Sequence, residues 1–188
     1  GGNFADADQT RRADQIAKVQ DWIEISAILG STALRVFAGA CPEGVELAFA
    51  RKWVIDGLAE CAAKAEREGV ILALENHGGL TADAEGTLAL IEPFEGNPWV
   101  QLNLDFGNFT GDIYDQYQAC AAHAATTHTK LTVRQGEERE PVDYRRVVRL
   151  LREAGYNGYL NIEYEEKEPP IPYVERFASY LRGCLADA

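Results

Sequence analysis

Two rhythms of apolar positions alternate along the chain. Over residues 8–29 the spacing of Ile16, Val19, Ile23 and Ala27 draws one stripe on a predicted helix, and Gly30 is placed to end it. Leu34 to Phe37 then reads as a strand. Residues 46–68 return to helical spacing through Leu47, Val54, Leu58 and Ala62, and Gly69 stops that helix before the run Val70 to Leu74. Further helices are predicted over 81–92, ending near Pro93, over 113–122, over 143–154 with Val147, Val148, Leu150 and Leu151 as the buried face, and over 172–185. Strands are predicted near 34–38, 70–75, 100–105, 124–131 and 159–164. Six helices alternating with five strands imply parallel strand–helix–strand units with right-handed crossovers.

Parity within the strands separates two faces, because successive side chains point to opposite sides of a sheet. Gln101, Asn103 and Asp105 share one face while Leu102 and Leu104 take the other; Tyr159, Asn161 and Glu163 repeat this against Leu160 and Ile162. Thr126, His128 and Lys130 do so less cleanly. An open sheet covered by helices on both sides would be apolar on both faces, whereas a barrel interior accepts polar groups near its active end. The pattern therefore favours a parallel α/β barrel. Five strands fall short of the eight of a complete barrel, which runs to roughly 250 residues. The chain opens Gly1-Gly2-Asn3 and contains no methionine. The expectation is a single domain over residues 1–188, an incomplete barrel lacking its first two to three strand–helix units.

Four strand-like runs end on residues that bind cations: Glu75, Asp105, His128 and Glu163. They stand 30, 23 and 35 residues apart, about one strand-plus-helix unit each. In a parallel barrel the carboxyl ends of the strands converge on one face, so these four become neighbours. Three carboxylates with one imidazole make an oxygen-rich mixed set that suits Mn²⁺, with Mg²⁺, Co²⁺ or Zn²⁺ as further choices, and is a poor match to thiolate-rich structural zinc. A divalent ion holding a carbonyl and an adjacent hydroxyl acidifies the α proton and stabilises the resulting enediolate. Glu75 and Glu163, on strands far apart in sequence, are then placed to move that proton as an acid/base pair.

Composition bounds the remaining possibilities. A formal charge of −12, from 18 basic and 30 acidic residues, argues against a nucleic-acid partner. Cys41, Cys61, Cys120 and Cys184 are scattered without a C-x-x-C pair, the usage of reduced thiols in a cytoplasmic protein. No apolar stretch approaches the roughly 18 to 20 residues of a membrane span, and no signal peptide is evident. The expected partner is a small molecule, with no membrane or nucleic acid; homo-oligomerisation is left open.

The chain resembles the xylose isomerase-like TIM barrel family of sugar phosphate isomerases and epimerases, whose relatives include ketose 3-epimerases and inosose dehydratase. The stretches that carry the resemblance are Leu34 to Gly39, Leu74-Glu75-Asn76-His77-Gly78-Gly79, Leu104-Asp105-Phe106-Gly107-Asn108-Phe109, His128-Thr129-Lys130 and Gly158 to Tyr164. The resemblance implies a (β/α)8 TIM barrel, a divalent metal held by Glu75, Asp105, His128 and Glu163, and a sugar isomerase or epimerase in which the two glutamates double as acid and base. It also implies that the small-molecule partner is a sugar or polyol and that Arg134 binds substrate. Two positions depart from the ketose 3-epimerase pattern: Asn108 stands where those enzymes carry histidine, and Thr81 where they carry glutamate.

Other candidates have two readings each. His77 either binds substrate hydroxyls or makes a local loop bond. Lys130 either contacts a substrate or is solvated, and Asn108 either contacts a substrate or forms a turn. Arg35, inside an apolar strand, needs a buried partner or lines the site. Dehydration of a keto-inositol on the same residues is the alternative reaction, and a degenerate sugar-binding barrel the non-catalytic one. Endonuclease-like phosphodiester hydrolysis needs a multi-metal cluster with more than three histidines.

Overall fold

The computed structural model describes residues 2–187. Its strands are β1 (Ala33–Val36), β2 (Ile71–Glu75), β3 (Val100–Asp105), β4 (Ala124–Thr129), β5 (Thr132–Gln135), β6 (Glu138–Pro141) and β7 (Leu160–Ile162). Its helices are α1 (Gln9–Ile28), α2 (Leu47–Glu68), α3 (Ala84–Ile91), α4 (Ile113–Ala121), α5 (Tyr144–Glu153) and α6 (Pro170–Asp187). The strands β1-β2-β3-β4-β7 form one parallel sheet in that order, curled into a half-barrel, and β5 pairs with β6 as an antiparallel hairpin. Five barrel strands and six helices are present, as expected from the sequence, and the architecture is an incomplete α/β barrel. No helix among the described residues is long and apolar enough to cross a membrane.

Local chemistry explains most boundaries. The Asp8 carboxylate accepts from the backbone of Thr10 and Arg11 and so caps α1. Gly69, at φ 68°, ends α2 in the left-handed conformation that glycine adopts without steric cost. Along α2 the buried residues Ala50, Val54, Leu58, Cys61 and Ala65 form the stripe that packs inward. Gly57 lies on that stripe because the Phe4 ring fills the space a Cβ would need. On the sheet, Leu72, Leu74, Leu102 and Leu104 are buried on the face toward the helices, which leaves the opposite parity for polar groups.

Two expectations change. The third helix starts at Ala84, not near Thr81, because the Thr81 hydroxyl is engaged by the loop: it donates to the Glu75 or Gly78 carbonyl and accepts from the His77 N–H. Asp83 then caps the helix through the Gly86 N–H. The strand foreseen over 124–131 ends at Thr129, and the charged segment after it forms the β5–β6 hairpin. Short, largely exposed strands carry no apolar alternation to announce them.

Candidate metal centre

Register brings the site together. Asp105 lies opposite His128, Glu75 opposite Asn103, and His128 opposite Asn161, so the strand ends line up laterally at the ~4.8 Å strand spacing. One ligand atom each from Glu75, Asp105 and His128 falls within 4.8 Å of the others. Glu163, one residue beyond β7, brings Oε2 to 3.1 Å from His128 Nδ1. It is the most exposed of the four, with 31% of its side chain open against 1%, 0% and 20% for Glu75, Asp105 and His128.

Each buried carboxylate uses one oxygen for positioning and leaves the other unbonded. Glu75 Oε2 accepts from Asn103 Nδ2 at 2.7 Å and lies 3.2 Å from Arg35 Nη1, while Oε1 has no hydrogen-bond partner among the described residues. Asp105 Oδ1 accepts from the Gly107 N–H at 2.7 Å, while Oδ2 has none. Asn76 clamps the neighbouring strands: its Oδ1 accepts from the Asp105 N–H and its Nδ2 donates to the Asp105 carbonyl. His128 Nδ1 is buried, lacks a hydrogen bond and sits 3.2 Å, 3.5 Å and 3.1 Å from Glu75, Asp105 and Glu163. Of seven such buried, unbonded side-chain atoms among the described residues, six belong to Glu75, Asn103, Asp105, Asn108, His128 and Thr129. Glu75, Asn103, Asp105 and His128 share the inward parity, and because buried polar atoms are normally satisfied, their unbonded atoms at adjoining strand ends mark a candidate ligand site. Oxygen donors with one imidazole nitrogen fit a divalent cation.

Electrostatics follow the crowding. Burial pulls the His128 imidazole down, yet Asp105, Glu75 and Glu163 outweigh it and hold the group up to about 9. Burial raises the Glu75 carboxyl, and His128, Arg35 and Asn103 more than offset that, so it stays below the usual carboxylate range. Burial also lowers the Lys130 ammonium, which Glu165, Asp105 and Glu163 overcome to keep it charged beyond the ordinary lysine range.

The remaining candidates separate by position. Arg35 Nη1 reaches Glu75 Oε2 at 3.2 Å and Glu163 Oε1 at 3.6 Å, with its guanidinium over the Phe37 ring. His77 is exposed, tilts against the Phe37 ring and turns Nε2 to 3.9 Å from the unbonded Glu75 Oε1. Asn108, in the loop after β3, has its Nδ2 buried without a partner. Lys130 is 5% exposed and aims its ammonium at Glu165, Asp105 and Glu163, so it is not the solvated lysine of one sequence reading. Arg134 lies exposed on β5 opposite Arg139, and among the described residues no hydrogen bond or ion pair ties it to the cluster. Asn103, Asn76 and Glu165 are the residues not singled out from sequence. Parity carries the signal for two of them, since Asn103 precedes Asp105 by two and Glu165 follows Glu163 by two.

Comparison with known proteins bears on the fold. No curated protein matches the sequence. Among solved structures, the apo form of 3-keto-D-glucoside 4-epimerase, YcjR, from E. coli is similar at TM-score 0.77 and 19% identity, over 97% of this chain and 76% of that one. A D-tagatose 3-epimerase-like protein is similar at TM-score 0.81 and 17% identity, over 98% of this chain and 74% of that one. A xylose isomerase-like TIM barrel protein from Mycobacterium smegmatis, in complex with magnesium, is similar at TM-score 0.77 and 18% identity, over 95% and 69%. At these identities the likeness is one of fold. The family model described as xylose isomerase-like TIM barrel matches residues 1–184, and the chain belongs to that family.

Proposed function

We propose that the protein is a divalent-metal-dependent isomerase or epimerase of a sugar or a sugar-like keto compound. The observation that carries this reading is that Glu75, Asp105 and His128, at three adjacent strand ends, bring ligand atoms within 4.8 Å of one another, each residue keeping a buried, unbonded donor atom, with Glu163 against them. Glu75, Asp105, His128 and Glu163 would hold one ion, with Mn²⁺ or Mg²⁺ matching the donor chemistry. When bound, the ion supplies Lewis-acid stabilisation of charge developing on substrate oxygens.

In this reading the chain's own residues handle the proton. Glu75 is kept ionised by Arg35, His128 and Asn103, and so acts as the base toward a hydrogen next to a carbonyl. Glu163, which comes from the end of β7 and is partly open, is assigned the return of the proton. Arg35 and His77 face the cluster and are assigned to substrate oxygens, and Asn108, whose buried Nδ2 has no partner among the described residues, is assigned with them; Arg134 is assigned there through its place in the family pattern alone.

Similar solved structures include D-psicose 3-epimerase and L-ribulose 3-epimerase, which motivate the ketoses to try first. Mn²⁺-loaded protein incubated in D₂O with D-tagatose, D-psicose, L-ribulose and a 3-keto-glucoside is expected to place deuterium at the carbon next to the carbonyl of at least one. Absence of exchange in all four overturns the reading for this substrate class. A product lighter by one water reassigns the same proton abstraction to dehydration.

A further inference from the structure

Lys130 has no assigned task in the proton transfer, yet it is the most completely enclosed cation of the site. Its ammonium stands 3.2 Å from Asp105 Oδ2, 3.2 Å from Glu163 Oε2 and 2.8 Å from Glu165 Oε2. The first two carboxylates belong to the candidate ligand set; Glu165 does not. Of the three contacts, the one with hydrogen-bond geometry is to Glu165, and Asp105 Oδ2 remains unbonded despite the ammonium beside it. The lysine is thus bonded to the outer carboxylate and merely adjacent to the inner pair.

The surroundings are shaped for this placement. Gly107 has space for no Cβ, because the Lys130 stem crosses where one would stand, with Cγ 3.2 Å away and Asp105 Oδ1 3.3 Å away. The Tyr144 hydroxyl donates to the Lys130 carbonyl at 2.6 Å and fixes the backbone. Glu165 is 49% exposed, so it has room to follow the ammonium outward, whereas Asp105 is fully enclosed and pinned through Gly107.

We propose that Lys130 and Glu165 form a counter-ion relay: without metal the Lys130 ammonium, bonded to Glu165, also stands in for the cation beside Asp105 and Glu163, and metal entry draws it back onto Glu165 alone. The relay rests on the metal reading above. Lys130 is accordingly a positioning residue that keeps three carboxylates assembled in metal-free protein and sets how tightly a cation is held. An ion and the ammonium at contact range repel, so the ion's arrival pushes the ammonium away from Asp105 and Glu163. Glu165 stabilises the withdrawn state.

The test is a double-mutant cycle in Mn²⁺ affinity, read by isothermal titration calorimetry on wild type, Lys130→Met, Glu165→Gln and the double variant. Removing the competing charge is expected to tighten Mn²⁺ by about tenfold or more in Lys130→Met, the scale of a unit charge at contact range in a half-buried site. Glu165→Gln is expected to weaken Mn²⁺ by about tenfold, and by less than about threefold once Lys130 is gone, because its effect acts through the lysine. An unchanged or weaker affinity in Lys130→Met, or an equal Glu165→Gln effect in both backgrounds, overturns the relay while leaving the metal site standing. No Mn²⁺ binding by wild type overturns the metal reading and the relay together. Glu165 is half exposed, so its variant folds even where Lys130→Met does not. A Glu165→Gln affinity equal to wild type then refutes the relay by itself.

Discussion

Replacing Gly107 with alanine puts a methyl carbon inside the van der Waals envelope of Lys130 Cδ, 3.2 Å from its Cγ and 3.3 Å from Asp105 Oδ1. Gly107 does not sit in the left-handed region, so the backbone accepts alanine and the whole penalty falls on the lysine stem and its charge. Forcing a methyl into a filled space costs about 1–3 kcal/mol. Moving the ammonium off its carboxylates removes a charge-assisted hydrogen bond of about 1.5–3 kcal/mol, part of which water restores at the half-exposed Glu165. The expected loss is about 2–4 kcal/mol, or roughly 5–15 °C in unfolding midpoint for a chain of this length. Thermal unfolding of metal-free protein followed by circular dichroism reads it. Gly183→Ala is the control: it lies within α6 with nothing within 4 Å of the added carbon, and should stabilise by up to about 1 kcal/mol. Combining Gly107→Ala with Lys130→Ala removes the clash, so the pair should lose less than the two single losses together. A Gly107→Ala midpoint equal to wild type, or additive behaviour of the pair, would refute the argument.

Three further outcomes follow from other contacts. Asn103→Leu removes the 2.7 Å bond to Glu75 Oε2 in a fully buried position, and should cost about 1–3 kcal/mol in urea unfolding while weakening Mn²⁺ binding. Tyr144→Phe leaves the Lys130 carbonyl without its 2.6 Å donor and should cost about 1–3 kcal/mol, again by urea unfolding. The Cys61 and Cys120 thiols are buried and pushed up to about 12 by that burial, and Cys184 is 1% exposed, so a thiol reagent should modify Cys41 alone in native protein and all four cysteines after denaturation. Modification of two or more in the native state would contradict the packing of α2, α4 and α6.

The parallel sheet was readable where a strand keeps apolar and polar parity apart, most clearly in β3. Leu102 and Leu104 point to the helices while Asn103 and Asp105 point inward, and the fold preserves that division. Helix ends were readable where chemistry marks them, at Asp8 and Gly69, and were misplaced at Thr81, whose hydroxyl serves the loop carbonyls. The hairpin was invisible since residues 134–139 are exposed and charged, with cross-strand pairing as their main order. At the site, strand-end position pointed to Glu75, Asp105 and His128 because local sequence determines where a strand stops. The partners of Lys130 and the bond from Asn103 to Glu75 depend on lateral register between strands, which a single sequence does not display.

The central claim is that the strand ends of β2, β3 and β4 hold a divalent cation, and direct titration of wild type against Asp105→Asn tests it. Asp105 is fully buried, pinned through Oδ1 and unbonded at Oδ2, so its amide variant keeps the shape and removes a ligand charge. Calorimetry with Mn²⁺ should give one ion per chain for wild type and a loss of about a hundredfold or more in affinity for Asp105→Asn. No binding by wild type, or equal binding by both, would contradict the account.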